Sequence, residues 1–234
     1  MDLTRLYELI LGRCPGRGRI AFRVAPDDQY PHLVSLTSTR RGTIVKCRSN
    51  AVRRRARRLI TPQTLPAIRS SVRRATEILS ALGPLSFVHV GGEFYTTPDL
   101  FRPCCAHRVW RLEPAGAGLP PGADGPDPEQ LYAVLADWSA RAAGEGREDW
   151  RVVSRGKLFV RPGKEELAYV ASLHTEPDSR RQGMAKSVAS AITADILSSG
   201  KQPLYLCELD NRASVGVCRS LGYRLFATSV CANA

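Results

Sequence analysis

The sequence lacks any uninterrupted apolar run of the roughly 20 residues that a membrane-spanning helix needs. A signal peptide is not expected either, because residues 1–11 alternate charged and apolar positions at helical spacing and form no apolar core. This spacing predicts an amphipathic first helix. We therefore expect a cytoplasmic protein that does not insert into membranes.

The seven cysteines do not form the pattern of a secreted protein, since their number is odd and no secretory signal accompanies them. Reduced thiols in a cytosol are the simplest account. Cys104 and Cys105 are followed closely by His107, which raises the question of a metal site. No second pair of ligands lies at the spacing of a zinc finger, so we predict no metal site.

Acidic residues are scarce in the first half of the chain. Residues 1–112 hold 20 of the 34 Lys and Arg residues but 7 of the 22 Asp and Glu residues, and residues 113–234 hold 14 and 15. The net charge of +12 therefore comes from the first half. The densest cluster follows Ser49, a candidate helix cap. It consists of Arg53, Arg54, Arg55, Arg57 and Arg58.

Five arginines so closely spaced wrap around most of a helix, so they cannot all be buried. Two interpretations stay open. The arginines are solvated in a chain of arginine- and alanine-rich composition, or they form a surface for a polyanion such as tRNA or for an acidic carrier protein. No aromatic residues are interleaved with the cluster, which argues against stacking of single-stranded RNA.

The first half is predicted to form a basic α/β domain at residues 1–105. Apolar and β-branched runs indicate strands, and Gly91-Gly92 suits the turn of a hairpin. The predicted elements are strands at 20–24, 33–37 and 43–47, the arginine helix ending near residue 61, a helix at 65–82 and a hairpin at 87–96.

The C-terminal segment alternates strands and helices around a short loop that contains one glycine. Its helices are predicted from apolar faces and its strands from β-rich apolar runs. The predicted elements are a strand at 166–177, a helix at 183–198, a strand at 203–209, a short helix from residue 210 to about 220, and a strand at 224–230.

The loop at residues 180–185 is a candidate anion site, because it joins a strand to the start of a helix. Free main-chain N–H groups and the helix dipole favour negative charge at such a start. Gly183 lets the backbone approach a ligand without a Cβ in the way, and Arg180 and Arg181 stand beside it. An ordinary helix entry with solvated arginines is the alternative for the loop alone.

Several linked motifs make residues 166–226 resemble the GCN5-related N-acetyltransferase (GNAT) family. The loop is similar to the family signature R/Q-x-x-G-x-G/A, and the strand-to-loop junction and the downstream helix also look like their family counterparts. The motifs are Arg180-x-x-Gly183-x-Ala185, Thr175-x-Pro177-x-x-Arg180, Asn211-x-x-Ser214 and Leu221-Gly222-Tyr223.

This resemblance implies that the chain binds acyl-CoA, with acetyl-CoA as the expected donor. The diphosphate would lie on the amides of residues 181–186, the pantetheine arm would pair with the backbone of residues 173–175, and two residues downstream would border the arm. The implied binding residues are Leu173, His174, Thr175, Arg180, Arg181, Gln182, Gly183, Met184, Ala185, Lys186, Asn211 and Ser214.

Acylation of an amine needs a group that takes the ammonium proton and a proton source for the leaving thiolate. Glu208 is the first candidate base and His174 the second, although a solvated carboxylate and a packed histidine are their structural alternatives. A backbone N–H near His174 would serve the developing oxyanion. Many relatives carry a tyrosine where this chain has Cys218. A thiol can protonate a thiolate, but it can equally be a small buried residue.

The resemblance extends upstream with less detail. It implies a first strand at 108–112 and further strands at 149–160. Between them an apolar face predicts a helix at 127–142, formed by Leu131, Val134, Leu135, Trp138 and Ala142. Residues 114–128, rich in Pro, Gly and Ala, form a linker or an open loop. We predict a GNAT-like domain at residues 106–234. Some relatives carry a degenerate copy of the fold ahead of the working one, but residues 1–105 contain no second signature loop in the required context.

These observations predict an α/β fold with a mixed central sheet flanked by helices and an additional basic α/β N-terminal domain. The predicted activity is direct transfer of a short acyl group from CoA to an amine, a small molecule or a peptide, in a ternary complex. The alternative is a non-catalytic module of the same fold that holds RNA or an acidic carrier protein on its arginines. The oligomeric state stays open.

Overall fold

A computed structural model describes residues 3–12, 15–25, 32–112, 130–137, 150–160 and 163–234. The chain divides into two compact units. The first comprises Met1–Phe94, Cys207–Arg212 and Leu225–Ala234, and the second comprises Tyr95–Leu206 and Ala213–Arg224. The predicted domain boundary near residue 105 concerns independent folding and stays a prediction. The predicted linker at 114–128 lies outside the described residues.

The fold is α/β, as predicted, with sheet strands and flanking helices in both units. The helices are α1 (Leu3–Leu11), α2 (Asn50–Leu59), α3 (Leu65–Ile68), α4 (Val72–Leu79), α5 (Met184–Ser198) and α6 (Arg212–Ser220). The strands are β1 (Ile20–Val24), β2 (Val34–Thr39), β3 (Gly42–Cys47), β4 (Phe87–Tyr95), β5 (Trp110–Leu112), β6 (Gln130–Asp137), β7 (Trp150–Val160), β8 (Leu167–Thr175), β9 (Gln202–Glu208) and β10 (Arg224–Asn233).

In the first unit the strand order is β1-β3-β2-β10-β4. β1 runs parallel to β3, whereas β2 is antiparallel to both β3 and β10. The Oγ of Ser49 accepts a hydrogen bond from the Val52 N–H and so caps α2, as predicted. α2 turns Ala56 into a core that includes Leu36 and Val45, so its arginines are left on the other faces.

The predicted helix at 65–82 is interrupted. α3 ends at Ile68, and α4 begins after Ser71, whose Oγ accepts a hydrogen bond from the Arg74 N–H. A serine that caps the next helix takes extended backbone angles, here φ −166° and ψ 159°, so the first helix cannot continue through it.

The predicted hairpin at 87–96 is wrong, because β4 runs without a turn through Gly91 and Gly92. A Cβ at Gly92 would lie 2.7 Å from Leu209 Cδ2 and 2.6 Å from Phe94 Cε2. The glycines therefore make room for neighbouring side chains within a strand, which is the other common use of glycine in sheets.

In the second unit the strand order is β9-β8-β7-β6-β5. β7 is antiparallel to β6 and β8, and β8 runs parallel to β9. α5 packs on β7 and β8, with Val188 and Ile192 fully buried. Full burial of each such side chain contributes about 1.5–3 kcal/mol. A Cβ on Gly156 would lie 2.6 Å from Leu173 Cδ2 and 3.0 Å from Val188, so this glycine permits the close packing of helix on sheet.

The predicted helix at 127–142 is wrong over the part that the structure describes, because residues 130–137 form β6 and pair with β7. Residues 131–134 are all buried, as in a strand covered on both faces. A continuous apolar run of this kind has no period that separates a buried strand from a buried helix. Residues 127–129 and 138–142 lie outside the described residues.

The other described elements follow the predictions closely. The strands β1, β2 and β3, the first helix and the series from β8 to β10 lie within a few residues of their predicted positions. No helix in the described parts of the chain has both the length and the apolar character needed to cross a membrane.

Candidate functional site

The loop between β8 and α5, residues 180–186, has a conformation that suits an anion, and we name it the cradle. After the 3₁₀ turn Pro177–Ser179, the backbone enters the left-handed region at Arg181 (φ 62°) and again at Gly183 (φ 85°). α5 then starts at Met184, and the Ser187 N–H donates to the Gly183 carbonyl at 3.0 Å. A left-handed arginine is uncommon and costs backbone energy, which is a feature of functional loops.

The main-chain N–H groups of residues 181–186 donate no hydrogen bond to any other group within the described ranges. No side chain in the described part of the chain caps the start of α5. Successive donors in such a turn form a concave nest for an anion, and the helix dipole adds positive potential there. The loop from Arg181 to Gly183 is exposed, so a ligand can reach these donors.

The side chains of the loop have two kinds of role. Arg180 closes the loop, because its Nε donates to the Thr175 carbonyl at 3.0 Å, and Gln182 Nε2 donates to the Asp178 carbonyl at 3.2 Å. Arg181 and Lys186 have no carboxylate partner among the residues whose positions are described. These two cations are available to a bound anion.

A segment at residues 104–108 lies against the start of α5. The Cys104 N–H donates to Ser190 Oγ at 2.8 Å, and the His107 N–H donates to Ser187 Oγ at 3.2 Å. His107 Nε2 lies 2.6 Å from the Gln182 carbonyl oxygen. Sequence reasoning assigned no role to His107. Two serines on the buried face of α5 were the available signal for a segment that packs there, because buried hydroxyl groups need hydrogen-bond partners.

β8 separates from β9 next to this loop. Their pairing covers residues 167–170 of β8 and ends at Val170 with Tyr205, although β8 continues to Thr175. Opposite Gly156 the register between β7 and β8 shifts, and Ser172 takes a positive φ of 53°. Such a bulge ends regular pairing and redirects the backbone. The backbone of residues 173–175, the implied pantetheine site, therefore lies beyond the last pair with β9.

His174 and Ser214 have immediate partners within the second unit. His174 Nε2 is 3.6 Å from Glu176 Oε1, and about half of its side chain is exposed. The hydroxyl of Ser214 is 2.9 Å from that of Tyr205, which is buried.

Cys218 is fully buried, and its thiol donates to the Val215 carbonyl at 3.3 Å. This environment is that of a small buried residue, which was the alternative to a role of Cys218 as proton source. Its role as a general acid stays a prediction.

Glu208 and Asn211 lie in the first unit. The Asn211 N–H donates to the Glu208 carbonyl at 3.2 Å, and Glu208 Oε1 is 3.4 Å from His89 Nδ1. About half of the Glu208 side chain is exposed. The sequence has no local signal that pairs His89 with Glu208, because the two residues lie far apart along the chain.

The described residues contain no group of three or more His, Cys, Asp or Glu side chains that could hold a metal ion. The groups around the cradle are instead main-chain N–H donors and the cationic side chains of Arg181 and Lys186. The arrangement suits a diphosphate at residues 181–186 and an extended chain along the free end of β8.

Residues 159–231 match the model of the FR47-like protein family, which is related to the GNAT acetyltransferases. The matched segment contains β8, the cradle, α5, β9 and α6. This segment is therefore similar to the GNAT-related FR47-like family, which confirms the family resemblance that its motifs predicted. No curated protein matches the sequence.

Several solved structures are similar at low identity. A GNAT-family protein from Novosphingobium aromaticivorans is 17% identical, with a TM-score of 0.44, over 64% of this chain and 66% of its own. A GCN5-related N-acetyltransferase from Kribbella flavida is 13% identical, with a TM-score of 0.42, over 68% and 63%. A tandem GNAT protein from the clavulanic acid biosynthesis pathway is 11% identical, with a TM-score of 0.41, over 68% and 58%. The chain thus spans about two thirds or less of the length of these structures.

Proposed function

We propose that the protein is an acyl-CoA-dependent N-acyltransferase with acetyl-CoA as its donor. The observation that carries the proposal is the run of main-chain donors at residues 181–186 that have no partner among the described residues, at the start of α5 and within a segment similar to the GNAT-related FR47-like family. Arg181 and Lys186 supply cations beside these donors. The free end of β8 gives the pantetheine arm a strand to pair with.

The reaction forms a C–N bond and breaks a C–S bond, and one proton moves from the amine nitrogen to solvent or base while the leaving sulfur gains one. The neutral nitrogen of the amine attacks the thioester carbonyl carbon, the C–S bond breaks, and the products are an amide and the thiol of coenzyme A. The ammonium proton goes to Glu208 or His174, directly or through water, and these two remain the proposed bases. Because Cys218 is fully buried, water is the simpler proton source for the thiolate.

The test combines binding with turnover. Purified protein is titrated with coenzyme A by calorimetry and then mixed with acetyl-CoA and a panel of small amines and peptides, while release of free thiol is followed. We expect coenzyme A to bind and at least one amine to give thiol release above the hydrolysis rate. No binding of coenzyme A would overturn the proposal.

The second candidate is a non-catalytic module that binds RNA, such as tRNA, on the arginines of α2. Arg54, Arg55, Arg57 and Arg58 are exposed, and none of them has a carboxylate partner within the described residues. The pairs Arg54/Arg58 and Arg53/Arg57 are four residues apart, where like charges repel. An anion would relieve this repulsion.

Salt dependence distinguishes this module from the enzyme. A duplex-containing RNA should bind with an affinity that falls steeply with salt, and the double variant Arg54→Ala/Arg58→Ala should have a shallower slope. Arg73→Ala is the matched control, because Arg73 is equally exposed but already pairs with Glu77 at 3.0 Å. Coenzyme A binding without turnover, together with this RNA binding, would favour the module. Capture of an acidic carrier protein in place of RNA would point to the other predicted partner.

A further inference from the structure

His107 holds the carbonyl at the centre of the cradle. Its Nε2 lies 2.6 Å from the Gln182 carbonyl oxygen, which is the short end of the range for a hydrogen bond. A carbonyl oxygen only accepts, so Nε2 must carry the proton and donate. This contact joins a residue of the segment at 104–108 to the loop that would bind the diphosphate.

The contact has a geometric consequence for the next amide. In a trans peptide unit, the carbonyl of one residue and the N–H of the following residue lie in one plane and point in opposite directions. The peptide bond from Gln182 to Gly183 is trans, since the described residues contain no cis peptide bond. When His107 holds the Gln182 carbonyl on one side, the Gly183 N–H must therefore point to the opposite side.

Glycine at position 183 makes this restraint important. A glycine rotates between left- and right-handed backbone conformations at low cost, so the loop needs an external contact to stay at φ 85°. The other hydrogen bonds described for these two residues, from the Gln182 side chain and to the Gly183 carbonyl, do not involve this peptide unit. An N–H donor that is oriented before the ligand binds adds affinity, because binding then costs less conformational entropy.

The histidine is itself held in place. Its main-chain N–H donates to Ser187 Oγ, and the nearby Cys104 N–H donates to Ser190 Oγ. Both serines are buried on the face of α5 that meets this segment. The segment is therefore anchored to the same helix whose N-terminus would bind the anion.

We propose that His107 is a positioning residue that presets the Gly183 amide for the diphosphate of coenzyme A. This inference rests on the proposed function, because it needs a diphosphate at residues 181–186. His107 acts through the loop and is not a catalytic residue. It should affect the binding of ligands that contain the diphosphate and leave the chemical step unchanged.

The test compares two variants of nearly equal size. His107→Phe keeps a ring but removes the donor, and His107→Gln keeps an N–H donor near the position of Nε2. One lost hydrogen bond corresponds to about three- to tenfold in affinity. By calorimetry we expect coenzyme A to bind His107→Phe about three- to tenfold more weakly than the wild type, and His107→Gln within about twofold.

Turnover gives a second readout. The KM for acetyl-CoA should rise in His107→Phe while kcat stays unchanged, and acetyl-pantetheine, which has no diphosphate, should be used equally well by both variants. His32→Ala is the control histidine, since its Nδ1 bonds Asn233 Oδ1 within the first unit. Thermal unfolding of all variants is measured, and His107→Ala provides a second donor-free variant if His107→Phe fails to fold.

Equal coenzyme A affinity in His107→Phe and the wild type would overturn the inference and leave the proposed function standing. An equal loss in His107→Phe and His107→Gln would also overturn it, because ring packing would then be the cause. If the wild type does not bind coenzyme A at all, the proposed function fails and this inference fails with it.

Discussion

His89 Nδ1 lies 3.4 Å from Glu208 Oε1, so an imidazole on β4 faces the carboxylate at the end of β9. The ring of Phe87 lies nearly parallel to that of His89, with 6.3 Å between their centres. Gly91 leaves space for the imidazole, since a Cβ there would lie 2.5 Å from His89 Nε2. The carboxylate proposed as the base therefore has a defined orientation and a partner that can stabilise its charge.

Replacement of Glu208 by glutamine should lower kcat for amine acylation by about 100-fold or more, the range attributed to general base catalysis. The shape of the side chain is kept, so coenzyme A affinity should not change. Steady-state kinetics with the best amine from the panel measures this. Glu165→Gln, which removes an exposed carboxylate of the second unit, is the control. A kcat unchanged in Glu208→Gln would leave His174 as the remaining proposed base.

Replacement of Gly183 by valine should weaken coenzyme A binding by about tenfold or more. The native φ of 85° is unfavourable for a β-branched residue, so the loop would leave the conformation that exposes its amides. Calorimetry measures the affinity. Gly163→Val is the matched control, because Gly163 has a φ of 74° and no described atom would lie within 4 Å of its Cβ, but it is outside the cradle. Equal affinity in both variants would contradict the placement of the diphosphate.

Replacement of Gly222 by alanine should lower the free energy of unfolding by about 3 kcal/mol or more. A Cβ at this position would lie only 1.8 Å from the Leu100 carbonyl oxygen, in addition to the cost of a φ of 89°. Gly200→Ala has a similar φ of 72° with nothing within 4 Å, so it should lose only the backbone term of about 1–2 kcal/mol. Urea denaturation of both variants gives the difference. An equal loss of unfolding free energy in Gly222→Ala and Gly200→Ala would mean that the backbone near Leu100 moves away from the added Cβ at little cost.

Burial raises the pKa of the Cys47 thiol to about 11, although Arg53 and Arg57 act in the opposite direction. In the unfolded chain the same thiol ionises near its ordinary pKa of about 9. The unfolded state therefore loses its proton first as the pH rises, so stability is complete below pH 9 and is lost towards pH 11. The loss from this group is at most about 2–3 kcal/mol.

The variant Cys47→Ala checks this assignment. The free energy of unfolding, measured by urea denaturation from pH 8 to pH 11, should fall less steeply in the variant than in the wild type. In the native protein at pH 8, iodoacetamide should modify the exposed Cys105 and leave Cys47 unmodified. Parallel curves of unfolding free energy against pH for the wild type and Cys47→Ala would show that ionisation of Cys47 does not cause the loss of stability.

The parts of the site that were predictable from sequence are those in which the signal is local. A strand, a loop with Gly183 and a helix start lie within about 20 consecutive residues, and main-chain donors at a helix start need no distant partner to exist. For the same reason the helix cap at Ser49 and the turn at Gly222 could be predicted from neighbouring residues.

The sequence by itself determined the series of elements from β8 to β10 and the glycine loop at the start of α5, because periodicity, turn residues and helix ends act over a few positions. Only the tertiary structure decided that residues 130–137 form a strand, that Gly91 and Gly92 lie within β4, and that His107 reaches Gln182. Each of these depends on a partner far along the chain. Periodicity cannot specify such a partner, since the same apolar run or glycine pair satisfies more than one local structure until packing selects one.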